Sequence, residues 1–334
     1  MRVAIIGAGI AGLTCARTLV EAGLSVVVFE KSAGLGGRVA TRRIEGFTFD
    51  TGATQLVPRE PELAEAMARL SDPSQAPMRI ERPVYTHQYG RTLPGDASRN
   101  NVPRYAYRDG NSRLAKNLAE GLEVHRNAPV ESISRVAASG DEAFVVRDQT
   151  FGAVILTAPI PQTEALLEGL GENRALGHVR YRRCVTVMLG FDREIDRPYS
   201  ALLDPEQRHP LTWLSLESVK VEGRVPVGCG AVAAQMSRQY SVDWYDVSDE
   251  AVIQDVTAHV RHLLAGDLGE LVVSQVKRWR YSQPEATAMF ETANPPGTRV
   301  LVASDGIAGG RVEKAAAVGV RVARRLLDEV SNRK

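Results

Sequence analysis

Three glycines and one acid carry the first chemistry in this sequence. The apolar run Arg2-Val-Ala-Ile-Ile breaks at Gly7, and Gly7-Ala-Gly9-Ile10-Ala11-Gly12 leads into a helical pattern through Leu13, Ala16, Leu19 and Val20. A second apolar run, Ser25 to Phe29, ends in Glu30. Gly-x-Gly-x-x-Gly between strand and helix, with an acid closing the next strand, is a dinucleotide-binding fingerprint. Gly7 permits the tight turn, Gly9 lets a pyrophosphate approach the backbone, and Gly12 lets helix and strand pack closely. The first amides of the helix, those of Ile10 and Ala11 among them, offer donors and a positive dipole end to phosphate. Glu30 can accept from both ribose hydroxyls of an adenosine, and its charge disfavours a 2′-phosphate. Spacing alone leaves NAD open.

Two further clusters extend this chemistry. Lys31-Ser-Ala-Gly34-Leu-Gly36-Gly37-Arg38 follows the acid, with glycines that let backbone run beside a ligand and an arginine suited to phosphate. Near the other end, the apolar run Arg299 to Ala303 meets Ser304-Asp305-Gly306-Ile-Ala-Gly309-Gly310-Arg311-Val312-Glu313, and a long amphipathic helix follows. This repeats the logic of the opening, strand then glycine turn then helix N-terminus, which favours negative charge.

The elements that must position these residues follow from periodicity. A strand over Phe47 to Asp50 precedes the small-residue turn Thr51-Gly52-Ala53-Thr54-Gln55. Pro58 to Leu70 reads as a helix and Glu81 to Leu93 as a hairpin. A helix leads to Leu122, then strands at Glu123 to His125, Ala128 to Ile133, Phe144 to Val146 and Phe151 to Ala158, and a helix from Gln162 to Leu170. Strands are expected at Cys184 to Phe191, Leu211 to Leu214, Val227 to Gln235 and Leu271 to Tyr281, with a helix from Ala251 to Leu264. Period 2 places Lys277, Trp279 and Tyr281 on one face of the last strand. Such a face can line a cavity and sandwich a planar substrate.

Together, Gly7-x-Gly9-x-x-Gly12, Glu30, Gly36-Gly37-Arg38 and the C-terminal Asp305 segment resemble the FAD-binding amine oxidase superfamily, which includes monoamine oxidases, protoporphyrinogen oxidases, carotene desaturases and renalases. Gly310-Arg311-Val312-Glu313 and the run Arg278 to Pro284 are similar to renalases. The resemblance implies an α/β fold: an FAD-binding Rossmann-type domain (1–57, 105–175 and 295–334) with a second α+β substrate domain on an antiparallel sheet (58–104 and 176–294). It implies that FAD is held by Gly7, Gly9, Ile10, Ala11, Gly12, Glu30, Lys31, Gly36, Gly37, Arg38, Thr54, Val130, Asp305, Arg311 and Val312, with Val130 meeting adenine through its backbone. It brings Gln55, Trp279 and Tyr281 to the substrate side of the flavin. It implies an oxidase of reduced nicotinamide nucleotides, the 2- and 6-dihydro isomers of NAD(P), with O2 reduced to hydrogen peroxide. Other flavin oxidoreductases of the superfamily, acting on amines, isoprenoids or tetrapyrroles, and a non-catalytic flavin-binding regulator are the alternatives.

Two departures from the superfamily pattern matter. Ser304 stands where glycine commonly precedes the acid. No cysteine lies in the C-terminal segment where covalent members attach FAD, so non-covalent binding is expected, and Asp305-Gly-Ile-Ala lacks the aromatic pair that cages amines.

The chain has 334 residues, 44% hydrophobic and 24% charged, with a net charge of +1. That balance argues against a general nucleic-acid or membrane-surface role. Cys15, Cys184 and Cys229 are too far apart for a metal pair or disulfide framework, which points to a reducing, cytoplasmic setting. No apolar run reaches about 18 residues, so no membrane span is expected. A strand beginning at residue 2 leads to the expectation of no signal peptide.

Overall fold

In the computed structural model, which describes residues 1–70, 72–138 and 141–331, the apolar run Arg2–Ile6 (β1) is the central strand of a five-stranded parallel sheet. Ser25–Phe29 (β2) and Ala153–Leu156 (β13) flank it, and Glu123–His125 (β9) and Val300–Val302 (β19) form the edges, in the order β19-β13-β1-β2-β9. Apart from the edge strand β9 (Glu-Val-His), these strands read as nearly continuous apolar runs because both faces are covered.

One face carries Ile10–Glu21 (α1), Pro61–Ala68 (α2), Ser112–Ala119 (α4) and Val312–Ser331 (α10), which bury Val3, Ile5, Leu13, Leu63, Leu114 and Val322 in a first core. A Cβ at Gly319 would collide with the Ala11 carbonyl and the Thr14 hydroxyl, so glycine lets α10 close onto α1. The opposite face carries Ile160–Gly169 (α5), Phe290–Ala293 (α9) and a three-stranded antiparallel sheet of Ser134–Ala138 (β10), Asp141–Val146 (β11) and Gln149–Phe151 (β12). Phe29, Phe144, Phe151, Ile160 and Leu167 form the second core there.

The second layer is a seven-stranded sheet: Val84–Gln88 (β6), Arg91–Pro94 (β7), Tyr181–Phe191 (β14), Ala201–Leu203 (β15), Leu211–Leu216 (β16), Gly230–Met236 (β17) and Leu271–Pro284 (β18), ordered β18-β14-β17-β16-β15-β6-β7. All pairings are antiparallel except β15 with β6. Alternate residues part to opposite faces. Val187, Leu189 and Val232 pack under Asp249–Leu264 (α8), with Arg238–Asp243 (α7) alongside. Met188 and Ala231 face the other way, onto Phe47 and Phe49 of the hairpin Thr41–Ile44 (β3) and Phe47–Asp50 (β4). Short elements complete the chain: Met78–Arg79 (β5) pairs with Tyr105–Ala106 (β8), and Ala97–Asn100 (α3) and Glu217–Lys220 (α6) are single turns.

The α/β class expected from sequence is borne out, and three local expectations are corrected. Ala128 to Ile133 is not a strand: Ala128 N–H donates to the Glu30 carbonyl, Pro129 has no N–H, and regular pairing starts at Ser134. The run Phe151 to Ala158 divides at Gly152, with β12 pairing antiparallel to β11 and β13 entering the parallel sheet. The strand expected from Val227 starts at Gly230, because Pro226 to Cys229 is a turn closed by Cys229 N–H on the Pro226 carbonyl (3.1 Å). Among the described residues no helix is long and apolar enough to cross a membrane.

Candidate cofactor site

The opening glycines face two kinds of surroundings. Gly7 has φ +112 and donates to the Phe29 carbonyl at 2.8 Å, which turns the chain out of β1. A Cβ on Gly12 would strike the Gly7 carbonyl, whereas nothing lies within 4 Å of where a Cβ on Gly9 would stand. Gly9 precedes α1 with no side chain capping the helix, so the amides of Ile10 and Ala11 have no intrahelical acceptor. Gly36 (φ +99) donates to the Ala8 carbonyl at 2.8 Å and forms a parallel bridge with Gly9. The two glycine segments therefore run side by side, with open space over Gly9.

Buried Glu30 accepts from Ala8 N–H on Oε2 and from Ser32 N–H on Oε1, both at 2.8 Å. Each oxygen keeps acceptor capacity for a ribose hydroxyl. Lys31 beside it is exposed, and Val130 packs half-buried on the second core.

The C-terminal segment closes onto this loop. Arg38 contacts the buried carboxylate of Asp305, whose other oxygen accepts from the Tyr181 hydroxyl at 2.8 Å. Burial, with Asp305 adding to it, pushes the Tyr181 phenol well above its usual range, so it stays a donor. Val312 is the first residue of α10, and Arg311 is exposed, with its guanidinium 3.8 Å from Glu313.

The segment after β4 meets the second layer. Asp50, Glu217, Lys220 and Arg224 are all buried, two acids against two bases. Lys220 Nζ donates to Asp50 Oδ2 at 3.0 Å and to Glu217 Oε1 at 2.8 Å, while Arg224 pairs with Asp50 at 2.8 Å and contacts Glu217. Burial alone would raise the Asp50 carboxyl, but Arg224 and Lys220 outweigh it and hold it below the usual carboxylate range. Asn111 N–H adds a bond to Asp50 Oδ1 at 2.8 Å.

Thr54 lies against this tetrad, its carbonyl accepting from Lys220 at 2.7 Å and its hydroxyl from the Trp213 indole at 3.0 Å. Trp279 donates its indole N–H to the Thr51 carbonyl at 2.9 Å. Tyr281 meets the Tyr181 ring edge-on at 5.6 Å, and the ladder between β14 and β18 shifts between Arg182 and Cys184, just beyond Trp279. The Lys277 ammonium lies 4.8 Å from the Trp279 ring centre. Gln55 is half-buried, and its side chain makes no hydrogen bond among the described residues.

Asn111, Trp213, Glu217, Lys220, Arg224 and Gln235 were not foreseen as site residues. One signal could have found three of them. Glu217, Lys220 and Arg224 recur at spacings of three and four between Leu214 and Val225, interleaved with Leu216, Val219 and Val221. Among the described residues no group of three His, Cys, Asp or Glu side chains could hold a metal ion.

Comparison with known proteins fits this geometry. The NAD(P)-binding Rossmann-like domain pattern matches residues 5–70, and the flavin containing amine oxidoreductase pattern matches residues 103–327. The chain belongs to the flavin-containing amine oxidoreductase family. It is an FAD-dependent oxidoreductase, and the open strip over Gly9, the uncapped α1 and the Glu30 acceptors fit that cofactor.

Polyamine oxidase 2 of Arabidopsis thaliana is 31% identical over 173 residues, which is 51% of this chain and 32% of that protein. A 4,4'-diapophytoene desaturase of Staphylococcus aureus (strain Newman) is 44% identical over 54 residues, 16% of this chain and 11% of that protein. The matched segments thus span about a third or less of these relatives. Cyclohexylamine oxidase from Brevibacterium oxydans IH-35A superposes with a TM-score of 0.78 at 12% identity, covering 99% of both chains. Reduced UDP-galactopyranose mutase superposes with a TM-score of 0.77 at 14% identity, covering 98% of this chain and 95% of that one. At these identities the likeness is one of fold.

Proposed function

We propose that this protein is a renalase-like flavoprotein oxidase that takes a hydride from 2- or 6-dihydro isomers of NAD(P). The observation that carries this reading is the charge beside Trp279. Lys277 is half-buried, has no carboxylate within ion-pair distance among the described residues, and lies on an indole face. Burial, then the positive charges of Arg42 and Lys31, lower its pKa. Such a surface attracts the phosphates of a nucleotide and repels an amine, which arrives as a cation.

Bound FAD supplies the two-electron acceptor, which O2 then reoxidises to give hydrogen peroxide. The side chains have a placement task. A dihydropyridine that loses hydride becomes a pyridinium with no proton to remove, so orientation matters more than a general base. In this reading Trp279, Tyr281 and Gln55 orient the ring. The residues expected from sequence, Gly7, Gly9, Ile10, Ala11, Gly12, Glu30, Lys31, Gly36, Gly37, Arg38, Thr54, Val130, Asp305, Arg311 and Val312, hold FAD. The corresponding division is 1–57, 105–175 and 295–334 for the cofactor and 58–104 with 176–294 for the substrate. FAD is held without a covalent bond: Cys15, Cys184 and Cys229 are free, and none lies between 295 and 334. We place the protein in the cytoplasm on the same cysteine usage.

A second reading, amine oxidation, is favoured by the 31% identity to polyamine oxidase 2. Anaerobic mixing of the yellow protein with each dihydro isomer, with ordinary NADH and with primary amines separates the two. Rapid bleaching by the 2- or 6-isomer supports the proposal, and bleaching by amines alone overturns it.

A further inference from the structure

Four consecutive carbonyls in the ribbon after β4 are each engaged by a side chain from a different element. The Thr51 carbonyl accepts from the Trp279 indole of β18 at 2.9 Å, and that of Gly52 from the Gln235 amide of β17. The Ala53 carbonyl accepts from Asn111 Nδ2, just before α4, at 2.8 Å, and that of Thr54 from Lys220 of α6 at 2.7 Å. On the amide side, Thr51 donates to the Ala40 carbonyl (3.0 Å) and Ala53 to that of Arg38 (2.8 Å). The amides of Gly52, Thr54 and Gln55 meet no acceptor among the described residues.

Surface loops normally satisfy such carbonyls with water. Here long side chains from 58 to 228 positions away do so, at a cost in their own conformational freedom. From Thr51 to Thr54 every carbonyl is thus engaged by a side chain, and the amides of Gly52 and Thr54 are left without an acceptor among the described residues. A rim of this kind favours the electron-rich edge of a planar ring and disfavours an ammonium.

We propose that Trp279, Gln235, Asn111 and Lys220 are positioning residues that fix residues 51–54 as a rim of backbone donors at the cofactor's ring. This rests on the placement of the ring beside the ribbon in the proposed function, and not on the identity of the substrate. The acceptors facing the rim are carbonyl oxygens, those of the flavin ring or that of a substrate carboxamide stacked on it.

The test uses the FAD-loaded protein and two mild variants, Trp279→Phe and Gln235→Leu, each of which removes one donor and retains bulk. If the rim faces the flavin, both variants shift the visible absorption bands and the reduction potential of the resting enzyme. They also weaken FAD binding roughly 2- to 13-fold, the ratio that loss of one ordinary hydrogen bond produces. If the rim faces a substrate carboxamide, the resting spectrum holds while Gln235→Leu, whose side chain has no assigned role on the substrate, raises KM for the active dihydronicotinamide isomer by a similar factor with kcat level. Either result supports the clamp. Folded, FAD-loaded variants that match the parent in spectrum, potential and KM overturn it. Gln55→Glu, on the ribbon itself, separates two failures. If Gln55→Glu shifts the spectrum while the clamp variants do nothing, the clamp alone is wrong; if none does, the placement of the ring falls with it.

Discussion

Lys220 Nζ stands 3.0 Å from Asp50 Oδ2, and 170 residues separate the two in sequence. Neither is accessible to water: Asp50 is 0% and Lys220 4% exposed. Their contact joins the end of the β3–β4 hairpin to the turn after β16, and so joins the ribbon at 51–55 to the second layer.

Removing one member of this tetrad leaves an uncompensated charge in the interior. Lys220→Met is expected to cost about 3–5 kcal/mol in stability, the usual effect of breaking a buried ion pair. Lys220→Met combined with Glu217→Gln leaves Asp50 facing Arg224 and restores neutrality, so its loss should be smaller than that of the single variant. Urea unfolding of the three proteins checks this, and a double variant worse than the single one contradicts it.

Gly9 and Gly12 should fail differently. Gly9→Ala projects a methyl into open space, so the protein folds with near-parental stability but binds FAD at least about 10-fold more weakly, because the methyl stands where a phosphate approaches. Gly12→Ala drives a methyl into the Gly7 carbonyl and should lower stability by about 1–3 kcal/mol, the range for overpacking. Titrating apoprotein with FAD, alongside thermal melts without FAD, distinguishes the two.

Glu30→Leu leaves the Ala8 and Ser32 amides without their acceptor and removes the ribose partner. The apoprotein should lose about 1–3 kcal/mol, as for other unsatisfied polar groups. FAD affinity should fall as well, and Glu30→Gln, which keeps one acceptor oxygen, should lie between. Fluorescence titration of free flavin gives the order.

Stability should decline on mild acidification. His87, His209 and His259 are neighbours, with ring centres 5.3 Å apart in each successive pair. Burial lowers the pKa of His87 and of His209, with Asp204 opposing; His262 adds to the effect at His87, and His259 at His209. A depressed value in the folded state means that the unfolded chain binds more protons. Stability is therefore complete above the ordinary imidazole value of about 6.5 and falls as pH drops below it. Melting temperatures between pH 8 and pH 5.5 should show this slope, and His209→Asn should flatten it.

The parts of the site legible in the sequence are those whose chemistry is local. Gly7, Gly9, Gly12 and Glu30 lie within one strand-helix-strand unit, and Asp305 through Val312 within another turn, so spacing alone displays them. The ribbon at 51–55 is also visible, as a run of small residues after a strand. Its partners are not. Asn111, Lys220, Gln235 and Trp213 arrive from other elements, and a side chain's reach across a layer has no period. Trp279 stands out as an aromatic on an alternating strand, yet its bond to the Thr51 carbonyl depends on how two sheets meet. Tyr281 lies on the same strand, and its edge-on contact with Tyr181 likewise depends on how β14 and β18 pair.

The last strand of the parallel sheet, β19, and the helix that follows it have a consequence for biosynthesis. Val300–Val302 completes the edge beside β13, and α10 packs against α1 from the first 21 residues. While the chain is on the ribosome, α1 is made early but the helix that packs on it comes only after residue 311. Nascent protein therefore lacks one sheet edge and one helix of the first core until residues 300–331 emerge, and on the proposed FAD site a ribosome stalled before them should carry a chain without captured flavin.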